Sequence, residues 1–209
     1  MKKSMKILCA VLALVLTLSC GVGATLAFIS HSTKEVENTF VFGNLELKLE
    51  ETGTTEENGV AKKNYTIIPG TDLTKDPKVT VSTPEGAADV PCYVFVTVKE
   101  VNWPNVKATD GSRKVDYKMA DGWGLYDTQA DGTKVYVRGT KDAPDIVTPS
   151  GTPFHVLAGD KVTVSSELSK IDIDACNGKV PTLTFKAYAV QRAGFNTVDA
   201  AWTQAQTLG

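Results

Sequence analysis

The residues that could carry chemistry are few and far apart. The chain has two histidines, His31 and His155, the second within Pro153-Phe154-His155-Val156. Neither belongs to an HExxH helix, the arrangement that sets two imidazoles and a glutamate on one helical face to hold zinc. Both read as solvated or core-edge histidines. No GxSxG elbow or P-loop occurs, and no cysteine has a companion histidine at a recognisable spacing. Acids pair in Asp127-Thr128-Gln129-Ala130-Asp131-Gly132 and in Asp172-Ile173-Asp174, but neither keeps the alternating ligands and closing glutamate of an EF-hand loop. They read as turn formers. No catalytic residue, metal ligand or cofactor is therefore expected. Trp103, Trp123, Tyr126 and Tyr136 could stack on a carbohydrate, though packing in a core is the commoner use of such rings. Asn64-Tyr65-Thr66 fits a glycosylation sequon, which matters only in a glycosylating pathway.

The N-terminus points to export. Met1-Lys2-Lys3-Ser4-Met5-Lys6 is a short basic stretch, Ile7 to Ser19 is uncharged and apolar, and small residues follow through Ala27. That is the layout of a signal peptide over 1–27, its apolar run helical, with Thr25-Leu26-Ala27 supplying small residues for cleavage between Ala27 and Phe28. The uncharged run continues to Ser30, long enough to cross a bilayer of roughly 30 Å as an uncleaved anchor. Gly21, Gly23 and Ala24 weaken its second half as a helix, which favours cleavage, and with cleavage no stable membrane insertion is expected. Lipidation at Cys20 is disfavoured because Thr17-Leu18-Ser19 lacks the usual Leu-small-small order.

Cleavage removes three of the 22 basic side chains (Lys2, Lys3, Lys6) and none of the 24 acids, leaving a net charge of −5. With no basic patch, nucleic acid is not an expected partner. Cys9 and Cys20 leave with the signal. Cys92 and Cys176 remain, and either a disulfide or two buried thiols would suit an exterior location.

Period-two patterns dominate the elements that would carry these side chains. Asn44-Leu45-Glu46-Leu47-Lys48-Leu49-Glu50 puts leucines on one face and charges on the other, a half-buried strand. Lys78-Val79-Thr80-Val81-Ser82 and Lys161-Val162-Thr163-Val164 repeat the alternation. Runs near 92–98 and 183–190 are apolar on both faces and should be central. Trp123-Gly124-Leu125-Tyr126 and Lys134-Val135-Tyr136-Val137-Arg138 read as a hairpin around Asp131-Gly132. The polar stretch Glu51 to Lys63 reads as a loop or a mobile hairpin tip. Helix signals are scarce, the best being 196–202 with Asn196 or Thr197 as cap. Many short strands and frequent turns predict an all-β, antiparallel β-sandwich of jelly-roll type over 43–209, preceded by an N-terminal arm or first strand over 28–42.

Three groups of residues resemble the TasA/camelysin family of Gram-positive matrix proteins. Gly23-Ala24-Thr25-Leu26-Ala27-Phe28 followed by Asn38-Thr39-Phe40-Val41-Phe42-Gly43-Asn44-Leu45-Glu46-Leu47 is similar to that family's cleavage site and first strand. Pro69-Gly70 with Thr74-Lys75-Asp76-Pro77-Lys78-Val79-Thr80-Val81 is similar to its PG…KDP-V segment. The Cys92–Val98 strand with the closing Ala187-Tyr188-Ala189-Val190-Gln191, Gly194-Phe195 and Ala200-Ala201-Trp202 is similar to the C-terminal AYAIQ-type ending of its clostridial members. The likeness covers about half the chain, and 100–155 carries none of it.

The resemblance implies a secreted jelly-roll subunit at the cell surface or in a biofilm matrix, cut by a SipW-type signal peptidase and self-associating into fibres. The arm, with Phe28, Ile29, Val36, Phe40, Val41 and Phe42, would then add as a strand to a neighbouring subunit; it could equally fold back as the first strand of its own sandwich. A camelysin-type metallo-endopeptidase and a monomeric binder of carbohydrate or host protein are the alternative expectations.

Overall fold

The structure, a computed structural model, describes residues 30–32, 45–174 and 181–207. Along the chain these form β1 (Ser30–Ser32), β2 (Glu46–Glu50), β3 (Thr55–Glu57), β4 (Val60–Lys62), β5 (Leu73–Thr74), β6 (Lys78–Ser82) and β7 (Cys92–Val101). Then come β8 (Val115–Asp116), β9 (Trp123–Thr128), β10 (Lys134–Arg138), β11 (Pro153–His155) and β12 (Lys161–Val164). A short helix α1 (Lys170–Asp174), the long strand β13 (Thr182–Gln191) and a terminal helix α2 (Val198–Gln206) complete the order.

The fold is an all-β sandwich of antiparallel sheets. A five-stranded sheet runs β1-β13-β7-β10-β9, and two three-stranded sheets, β11-β6-β2 and β5-β12-β8, face it. Alternation explains the small sheets: Leu45, Leu47, Leu49, Val79 and Val81 are buried while Glu46 and Lys48 between them are not. These side chains share one core with Val94, Val96, Val98, Ala187 and Ala189 of the large sheet.

The large sheet is apolar on its second face too. Tyr93, Phe95, Val135, Val137, Tyr188 and Val190 point away from the sandwich core and are covered by α2 through Ala201, Trp202 and Ala205. A buried side chain of this size contributes roughly 1.5–3 kcal/mol relative to exposure. The two-faced strands β7 and β13, central as their composition predicts, are therefore the hardest to pull away. They pair over their full length, from Thr182 opposite Val101 to Gln191 opposite Cys92.

Two local features add detail to the sequence reading. Residues 51–63, expected as a loop or a mobile hairpin tip, take the second form: β3 pairs with β4. The turn between them is Asn58-Gly59, with φ of 54° and 73°. Left-handed values at both centres match the twist of the flanking strands, and asparagine and glycine are the residues that adopt them cheaply. The hairpin of β9 and β10 is present as expected, with a register shift between Val135 and Tyr136 that leaves Tyr126 as the extra residue on β9.

Candidate functional site

The polar candidates are engaged structurally. His155 ends β11, and its Nδ1 lies 2.8 Å from Asp160 Oδ1, with the side chain half exposed. Asp131 accepts the Thr133 amide at 3.0 Å and pairs with Lys99 Nζ at 2.8 Å. Asp172 accepts the Ser169 hydroxyl at 2.7 Å and pairs with Lys114 at 3.0 Å. Among the described residues no three His, Cys, Asp or Glu side chains are placed to share a metal ion. Trp123 and Tyr126 are core residues, and Trp103 and Tyr136 pack against the core, so the four rings form no shared exposed platform. The indole of Trp123 donates to His155 O at 2.9 Å, and that of Trp103 to Val115 O at 3.1 Å.

What the fold brings together is a strand edge and a cleft beside it. β1 pairs antiparallel with β13: Ser30 opposite Val190, His31 opposite Ala189, Ser32 opposite Tyr188. Among the described residues it is the outermost strand of the large sheet on that side. The stretch expected as arm or first strand is thus described at 30–32, folded onto its own sheet. Ala27, Phe28, Ile29, Val36, Phe40, Val41, Phe42 and Cys176 lie outside the described residues.

A cleft of about 370 Å³ opens beside Thr182–Phe185, the other half of β13, and reaches across to Leu49 and Glu51 at the end of β2. Leu73, Trp103 and Leu183 give it an apolar lining. Lys75 and Glu51 close one end, Nζ to Oε2 at 2.8 Å, with side chains 11% and 9% exposed. The Tyr65 hydroxyl donates to the second oxygen of Glu51. Burial first, then the carboxylate beside it, pushes the Tyr65 phenol above its usual range and keeps it a donor. The ammonium of Lys75 also lies 5.2 Å from the Phe185 ring centroid, a cation held over an aromatic face.

Next to this pair, Asp76 accepts the Thr52 amide at 3.0 Å, the Thr52 hydroxyl at 2.6 Å and Lys78 Nζ at 3.2 Å. Burial works against its charge, but these donors outweigh burial and hold the carboxyl below the ordinary range. Such paired, hydrogen-bonded charges stiffen a cleft wall; they supply no nucleophile. An extended peptide laid along the cleft would meet backbone on the strands and apolar side chains beneath, which are the components of strand addition.

The sequence offered no route to the Lys75–Glu51–Tyr65 cluster. Its members stand 24 and 14 residues apart in polar segments, and Lys75 itself lies in the irregular stretch between β5 and β6. Comparison with protein-family models, curated proteins and solved structures finds no match to this chain.

Proposed function

We propose that the chain is an exported structural subunit that assembles into surface or matrix fibres, its N-terminal segment adding as a strand to the sheet of a neighbouring copy. The observation that carries this reading is the pairing of Ser30–Ser32 with Val190–Tyr188, which makes them the edge of the large sheet among the described residues. Residues so near the expected cleavage point already behave as an edge strand. A strand at a sheet edge, contributed by a chain terminus, can be supplied by another copy with the same register, because the contacts are identical and no new interface has to evolve. Closing within one chain keeps the monomer soluble; exchange between chains makes a head-to-tail contact that does not close on itself.

The resemblance to TasA/camelysin proteins supports the same reading and adds its setting: a SipW-type peptidase frees the segment at Ala27-Phe28, outside the membrane. Phe28, Ile29, Val36, Phe40, Val41 and Phe42 then supply apolar anchors. Negative-stain electron microscopy of the processed protein should show filaments, and deletion of Phe28 to Phe42 should abolish them. Filaments that persist in the deletion variant would end this reading.

A further inference from the structure

We infer that the terminal helix α2 is a latch that holds β1 on its own sheet, so that undocking of the helix is the step that frees the N-terminal segment. The inference rests on the strand-exchange reading for its purpose, but not for its physics.

Among the described residues β1 pairs at three backbone positions, which is little to hold an edge strand. α2 crosses the outer face of the large sheet and lies against β1 as well as against β13 and β7. The residue opposite Ser32 is Tyr188, and its ring meets Trp202 of α2 edge-on at 5.4 Å. Trp202 also lies 5.1 Å from Phe95 and 6.2 Å from Tyr126, so one indole ties strands β7, β9 and β13 beneath the helix. Ala201 and Ala205, both fully buried, let the helix backbone approach the sheet closely.

The helix is clasped at its first turn. Thr197 caps it by accepting the Ala200 amide at 3.2 Å, and the Tyr126 hydroxyl on β9 donates to Asp199. Two features make this hold reversible. α2 follows the last strand, so its departure breaks no ladder of the sheet. Among the described residues the buried Trp202 Nε1–H also has no hydrogen-bond partner, and undocking would expose it to water. The hydrophobic gain of docking is thus offset in part by burial of that N–H.

Hydrogen-exchange mass spectrometry on the monomeric protein, as processed by its own cell, tests the coupling directly. Tyr126→Phe removes the clasp and keeps the ring, and Thr197→Ala removes the cap. Both should raise exchange in α2 and, with it, at residues 30–32, several-fold, while β6, β7 and β10 stay protected; filament lag should shorten in parallel. Faster exchange in α2 with no change at 30–32 overturns the latch, as does a Tyr126→Phe protein in which neither element loosens. Coupled loosening in a protein that never forms filaments leaves the latch standing and removes the assembly reading instead.

Discussion

Lys75 and Glu51 meet at 2.8 Å where the cleft ends, both side chains about nine-tenths buried. Removing one partner strands the other charge away from water. Lys75→Met should cost roughly 3–5 kcal/mol in urea unfolding. Adding Glu51→Gln, which keeps an acceptor for the Tyr65 hydroxyl, should recover most of that loss. A single substitution costing under about 1 kcal/mol would mean that the pair behaves as a solvated surface bridge.

Acid should unfold the protein late. Glu100 is opposed by burial, yet the Tyr117 hydroxyl at 2.6 Å and the charges of Arg113 and Lys134 hold its carboxyl below the usual range. Asp76 is held down in the same sense, and Asp172 is lowered to about 2 chiefly by the Ser169 hydroxyl and amide. A carboxyl whose folded pKa is depressed stabilises fully above its unfolded value of about 4 and loses that contribution as pH falls through the folded value. Thermal melts should therefore change little between about pH 7 and 5 and drop steeply from about 4 toward 2. Glu100→Gln should lower the plateau and flatten the acid slope. A melting temperature that already falls near pH 6 would contradict this assignment.

The helix that covers the outer face has two separable contributions. Thr197→Ala removes one cap and should cost about 1 kcal/mol. Trp202→Ala opens a cavity among Phe95, Tyr126 and Tyr188 and should cost roughly 3–5 kcal/mol. Chemical denaturation of the two variants checks the ratio; equal costs would mean that the indole is not the anchor.

Cys92 is fully buried, and burial pushes its thiol up to about 12. It should resist alkylation in the folded protein and react only after unfolding. Mass spectrometry after treatment with and without reductant reads this, and also reports whether Cys176 pairs with it. Rapid labelling of Cys92 in the native state would contradict its placement.

The strands that were plain from sequence are those whose chemistry alternates or is apolar throughout: Leu45, Leu47 and Leu49 mark β2, and the Cys92–Val98 run marks the centre of the large sheet. Thr197 was readable as a cap because a side-chain acceptor before a helical stretch acts locally. The hairpin of β3 and β4 was legible only as one of two options, since Thr55, Glu56 and Glu57 are all exposed and a strand with no buried face leaves no period to read. α1 was missed for a related reason: Ile171 is 79% exposed, so its apolar residues mark no core-facing stripe. The pairing of Ser32 with Tyr188 and the meeting of Lys75 with Glu51 are products of topology, and no local pattern records a partner so distant along the chain.

The central claim, that the N-terminal segment of one copy occupies the β13 edge of another, is tested by a split cysteine pair. Ser30 and Val190 face each other across the ladder. One population carries Ser30→Cys and the other Val190→Cys, each with Cys92 and Cys176 replaced by alanine, and the two are mixed under assembling and oxidising conditions. Strand exchange predicts disulfide-linked pairs of the two variants in the filaments. Filaments in which that bond forms only when a single chain carries both cysteines would contradict the account.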